Sequence, residues 1–96
     1  MMVIISYDIS LSDKNGPTRL RKVAKLCQNY GQRVQNSVFE CIIDNQTFVM
    51  LKKQILDVVN LKLDSVRFYL LGNRFDGKIE HYGTKSTIDL NSTLIF

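Results

Sequence analysis

The chain lacks any apolar run long enough to span a bilayer. Its opening stretch, Met1 to Asp8, has no basic lead-in and turns polar too early for a signal peptide. On that reading the protein stays in the cytoplasm. There are only two cysteines, Cys27 and Cys41, not spaced as a CxxC pair, and a single histidine, His81. That set is too small for a zinc site. Both cysteines read as small buried apolar residues, and His81 reads as an incidental surface residue. No Gly-rich phosphate loop or dinucleotide fingerprint is present. Ser37 has no nearby His–Asp pair, so a hydrolase triad is unsupported. Acidic residues are absent from Lys14 to Phe39, where Lys14, Arg19, Arg21, Lys22, Lys25 and Arg33 all fall. A net charge of +4 is modest, but a basic block confined to one segment suggests a phosphate-facing surface.

The 96 residues are 45% hydrophobic and 23% charged, which suits one soluble domain spanning 1–96 and leaves no room for a second. Val3-Ile4-Ile5-Ser6-Tyr7 is a β-branched and aromatic run that predicts a strand ending at Asp8. A polar loop follows, and Pro17 stands where the first turn of a helix accepts it. Leu20, Val23, Ala24, Cys27 and Tyr30 recur at helical spacing, with Gly31 placed as a left-handed stop. Residues 33–44 predict either one long bent strand or two short ones broken near Asn36-Ser37. A second helix, capped by Asn45 or Thr47, carries the stripe Phe48, Leu51, Ile55, Val58 and Val59. Asp64 to Gly72 is a strongly hydrophobic strand, and Lys78 to Tyr82 a weaker one.

This order predicts an α+β fold, a ferredoxin-like βαββαβ sandwich with an extra C-terminal strand and both helices on one sheet face. The strands are apolar on both faces, so a second copy of the chain is the simplest cover for the open one. The terminal Leu94-Ile95-Phe96 would then add a strand at the partner's edge. Asp8 is the leading candidate for chemistry, because it ends a strand at the mouth of a loop. One carboxylate is too few to cage Mg²⁺, which takes one or two together with water and phosphate oxygens. Two Asp8 side chains meeting at a twofold axis could share one ion. The arginines offer bidentate donors to phosphate.

The strand ending Tyr7-Asp8-Ile9, the pair Arg19-Leu20-Arg21, the run from Tyr30 to Cys41 and the run from Asp64 to Leu71 together resemble a known family. It is the CRISPR-associated protein two family, the smaller of the two universal CRISPR adaptation proteins. The resemblance covers about Met2 to Gly72. It implies a ferredoxin-like homodimer that bridges the CRISPR integrase during spacer acquisition. It also implies a Mg²⁺-dependent endonuclease acting on single-stranded RNA or duplex DNA. By that resemblance Asp8 would be the metal ligand and a catalytic residue. Tyr7, Ser37 and Phe39 would fall on catalytic positions, and Arg19, Arg21 and Arg33 on positions linked with substrate contact. Lys22 and Lys25 join the arginines as nucleic-acid-binding candidates from the basic block. Three functions follow: a metal-dependent nuclease, a non-catalytic DNA-binding scaffold, and a regulatory domain for a small metabolite or protein partner. The acid-free basic stretch argues against the last.

Overall fold

Alternation of β-branched and polar residues sets the first strand of the computed structural model, which describes residues 1–71 and 78–84. β1 (Met2–Asp8) turns Val3, Ile5 and Tyr7 inward and leaves Asp8 exposed. α1 (Gly16–Gln28) follows, then β2 (Gln32–Gln35), β3 (Val38–Ile42), α2 (Asn45–Val58), β4 (Ser65–Leu71) and β5 (Lys78–Gly83). The sheet runs β2-β3-β1-β4-β5, and every neighbouring pair is antiparallel. This is the expected βαββαβ arrangement, with β5 added as a hairpin beyond β4. Residues 33–44 resolve into two strands, since Asn36 and Ser37 form the turn between β2 and β3. The tail with Leu94-Ile95-Phe96 lies outside the described residues. No helix among the described residues is long and apolar enough to cross a membrane.

The inner sheet face packs Val3, Ile5, Phe39, Cys41, Val66 and Phe68 against Val23 and Cys27 of α1 and Phe48, Leu51 and Ile55 of α2. Each fully buried side chain of this size contributes about 1.5–3 kcal/mol relative to exposure. The two cysteines are core residues, as their lack of companions suggested. Burial, reinforced by the neighbouring Cys41 and only partly opposed by Arg33, pushes the Cys27 thiol up to about 12. Burial likewise raises Cys41. A thiolate is the reactive form. Ellman's reagent at about pH 8 is therefore expected to label neither cysteine in the folded protein and both after denaturation. Rapid labelling of the native state would contradict a closed core.

Two terminal signals act differently from the sequence expectation. Asp44 caps α2, its carboxylate accepting from the Thr47 backbone N–H at 2.7 Å, so Thr47 donates to the cap and Asn45 is already helical. Gly31 is not left-handed: among the described residues the glycine with positive φ is Gly83, at 120°. α1 ends instead through right-handed Asn29, and Gly31 N donates to the Cys27 carbonyl at 2.9 Å. Glycine is needed there because a Cβ would run into Cys41 Sγ and the Glu40 carbonyl. Close approach of the chain to β3, not backbone handedness, selects the residue.

The outer sheet face is open in the single chain. It carries Met2, Ile4 and Ser6 of β1, Val38, Glu40 and Ile42 of β3, and Arg67, Tyr69 and Leu71 of β4. Ile42 is 79% exposed. Neither face of the sheet is uniformly polar.

Candidate nucleic-acid and metal site

Where β1 ends, the chain leaves the sheet beside the start of α1 and under the β2–β3 turn. Those three elements enclose an open groove of about 780 Å³, lined by Asp8, Arg21, Lys25, Gln28, Arg33 and Ser37, with Leu11, Pro17 and Leu20 at its apolar end. Arg21, Lys22, Lys25 and Arg33 are all exposed. The spacing of Arg21, Lys25 and Gln28 on α1 puts them on one helix face, the face turned to the groove. Lys22 stands one step around the helix and lines the neighbouring depressions.

Tyr7 lines the groove, and Phe39 packs against it from the core. Phe39 is fully buried, its ring 6.2 Å from that of Tyr7 in a stacked arrangement. The Arg33 guanidinium lies over the Phe39 ring, 5.1 Å from its centroid. The ring quadrupole attracts the cation and fixes it at the groove. Phe39, expected at a catalytic position, is thus buried and presents no surface to the groove. Its place is beneath Arg33. Tyr7 is 4% exposed, and its hydroxyl has no hydrogen-bond partner among the described residues. Burial raises its pKa, with Cys27 adding to the shift and Arg33 opposing it. The phenol thus stays protonated and does not serve as a base. The Tyr7 backbone N–H donates to the Ser37 carbonyl at 3.1 Å, which ties the β2–β3 turn to the end of β1.

Arg19 corrects the sequence reading more sharply. It was expected on the phosphate-binding face with Arg21, but only 9% of it is exposed. Nε donates to Asp64 Oδ2 at 2.8 Å and Nη2 to Asp64 Oδ1 at 3.1 Å. Nη1 and Nη2 donate to the Asp13 carboxylate at 2.8 and 3.0 Å, and Nη2 also to the Ser10 carbonyl at 3.3 Å. Asp64 is itself fully buried and accepts the backbone N–H groups of Ser10 and Asn60. The guanidinium is engaged by two carboxylates and has no face left for a phosphate. This cluster joins the β1–α1 loop to the start of β4, across 45 residues of sequence. No local spacing rule reaches that far, so the sequence left Asp64 as an ordinary strand residue.

His81 is also not an incidental surface residue. It is half-buried on β5, and its Nδ1 accepts from Arg67 Nε at 3.3 Å. As for a metal, the described residues hold no group of three or more His, Cys, Asp or Glu side chains. Asp8, exposed at the strand end, is the carboxylate that lines the groove. One such ligand per chain fits a Mg²⁺ ion held largely by water and phosphate oxygens, and does not fit a cage made by one chain alone.

Comparison with known proteins agrees across sequence and structure. A family model described as CRISPR associated protein Cas2 matches residues 1–79. The CRISPR-associated endonuclease Cas2 of Halalkalibacterium halodurans is 53% identical over 96 residues, 100% of each chain. The CRISPR-associated endoribonuclease Cas2 of Chlorobaculum tepidum is 50% identical over 95 residues, 99% of each chain. The crystal structure of Streptococcus pyogenes Cas2 superposes with a TM-score of 0.70 at 51% identity, covering 78% of this chain and 90% of that one.

Proposed function

This chain belongs to the CRISPR-associated Cas2 family, and we propose that it is a Mg²⁺-dependent endonuclease cutting RNA or duplex DNA as a homodimer. The observation that carries the reading is an exposed carboxylate, Asp8, on a groove whose other charged lining residues, Arg21, Lys25 and Arg33, are cations. The names endonuclease and endoribonuclease borne by its relatives support it.

Asp8 and its copy from a partner protomer would hold the cation. When bound, Mg²⁺ supplies a water of lowered pKa and neutralises charge on the phosphate. Arg21, Lys25 and Arg33 hold the backbone phosphates on either side of the cut. The attacking water forms a bond to phosphorus as the bond to the leaving oxygen breaks, and a proton passes to that oxygen. Tyr7 and Phe39 act from below by keeping Asp8 and Arg33 in place.

The experiment that tests the reading is cleavage of labelled RNA and labelled duplex DNA by the purified protein, in Mg²⁺ and in EDTA. Cutting in Mg²⁺ alone is the expected result. No cutting of either substrate overturns it and leaves the second reading, a scaffold that binds DNA and bridges the CRISPR integrase during spacer acquisition. The exposed cations of α1 favour that role independently of any chemistry. Arg21→Gln with Lys25→Gln is expected to lower duplex affinity on the order of 50-fold near 0.1 M salt, and to flatten the salt dependence by about 2 in logarithmic slope. An unchanged slope would remove the α1 face from the interface.

A further inference from the structure

The apolar end of the α1 groove has no part in holding phosphate or metal. Leu11, in the β1–α1 loop, is 61% exposed there. Exposed Pro17 and half-buried Leu20 continue the apolar surface along α1. The same helix face then passes to Arg21, Ala24 and Lys25, so an apolar shelf runs directly into the cations. These residues belong to α1 and the loop leading into it, on the helix side of the sheet. A second copy packed on the open sheet face leaves them accessible.

A single exposed leucine ordinarily needs no explanation. Leu11 differs because its backbone is fixed on both sides. Ser10 N–H donates to Asp64 Oδ1 at 2.9 Å, and the Ser10 carbonyl accepts from Arg19 Nη2 at 3.3 Å. Ser12 N–H donates to Ser10 Oγ at 3.2 Å, and the two serine hydroxyls share a hydrogen bond at 2.7 Å. The loop also lies so close to Gly16 that a Cβ there would run into the Ser10 carbonyl and the Leu11 Cα. The buried Arg19–Asp64 cluster thus holds Leu11 at a set position with its apolar surface in water. Preorganisation of that kind lowers the entropy lost on binding.

An apolar shelf joined to cations suits a molecule with one flat, weakly polar part and one anionic part. A nucleotide has both, in its base face and its phosphate. The groove, at about 780 Å³, falls within the roughly 300–1,000 Å³ typical of ligand clefts. Splayed-out bases are held against aromatic or apolar side chains while Arg and Lys take the phosphates. We propose that Leu11, Pro17 and Leu20 form a nucleobase subsite, which seats an unpaired base while Arg21 and Lys25 hold the flanking phosphates. The inference rests on the reading of this groove as the nucleic-acid site. It adds that the groove takes an unpaired nucleotide in preference to a closed duplex, whose bases show their edges and cannot lay a face on the shelf.

The test is a titration in EDTA, where no metal-dependent cutting occurs, with a pair of labelled probes. One is a single-stranded RNA oligonucleotide. The other is a ribose–phosphate oligomer of the same length with hydrogen in place of every base. The wild type is expected to bind the RNA about tenfold more tightly, as for a stacked base. Leu11→Asn should shrink that preference to about twofold by weakening RNA binding alone, with affinity for the base-less oligomer and for duplex DNA unchanged. Leu11→Phe should keep or widen it, since a ring is the better stacking surface. Melting should not move in either variant, because Leu11 lies outside the core. A full base preference retained by Leu11→Asn overturns the proposal and leaves Leu11 for contact with another protein. Equal weakening of both probes overturns it too, since Leu11 would then act through the phosphate path. Binding of neither probe by the wild type removes the groove as a nucleic-acid site and the subsite with it. Absence of cleavage in Mg²⁺, with the Leu11-dependent preference intact, defeats the nuclease reading alone.

Discussion

Asp8→Asn is expected to reduce Mg²⁺-dependent cleavage at least about 10³-fold while leaving the fold and nucleic-acid binding intact. The side chain is exposed at the end of β1, outside the packed core, so its replacement opens no cavity. The change is nearly isosteric and removes one negative charge from a groove lined by Arg21, Lys25 and Arg33. Binding should therefore hold or tighten slightly, since phosphate repulsion falls. In the proposed dimer two Asp8 carboxylates face each other and repel when no metal is bound. Asp8→Asn should then raise the melting temperature of the metal-free protein and abolish its response to added Mg²⁺. Cleavage rate, oligonucleotide affinity and melting with and without Mg²⁺ would be measured side by side. Wild-type cutting rates in the variant would remove Asp8 from the chemistry. A parallel loss of binding would turn it into a substrate-binding residue.

Asp64→Asn is the change expected to cost most in stability, about 3–5 kcal/mol, because it removes the fully buried carboxylate of the two that hold the Arg19 guanidinium. For a domain of this size that lowers the melting temperature by more than about 12 °C. Asn keeps the volume and one acceptor, so the loss reports charge and hydrogen bonding, not a cavity. The pH dependence follows from the same cluster. Burial pushes the Asp64 carboxyl up, but the Arg19 hydrogen bonds, the N–H groups of Asn60 and Ser10 and the Arg19 charge together hold it below its ordinary value of 3.8. Asp13 is held down too, chiefly by its hydrogen bonds to Arg19. A carboxyl with a depressed folded pKa stabilises fully above its unfolded value and loses that contribution as pH falls through the folded one. The wild type should therefore lose stability as pH drops below about 4, and Asp64→Asn should show a flatter decline over that window. Denaturant unfolding at stepped pH would measure both. Equal slopes would mean that the ion cluster does not set acid stability.

Much of the fold was legible because its signals are local. The β-branched run before Asp8, the Pro17 position and the stripes through Val23 and Cys27 and through Phe48, Leu51 and Ile55 depend on residues two to four apart. Those periods report which face meets a core, and the core was found there. Local reading proposed Asp8, Arg21, Lys25 and Arg33, which the fold places around one groove, for the same reason. Each is polar at a place where the apolar period stops or faces away. Arg19 was misplaced because its position in α1 says nothing about an acid 45 residues later. Phe39 and Tyr7 enter as site residues through the family resemblance, and only packing shows them stacked together with Arg33 over Phe39.

By itself, then, the sequence determined an α+β fold, its element order, its apolar faces and a basic first helix. These follow from side-chain periodicity and charge, which are properties of short segments. The tertiary structure alone decided which cations are spent on the fold and which face solvent. It brought Asp64 to Arg19, closed Gly31 against Cys41, and set Arg67 between His81 and Tyr69 beside Asp8. The Asp64–Arg19, Gly31–Cys41 and Arg67–His81 contacts each join different elements of the fold. Long-range pairing and burial fix them, and no local pattern carries either.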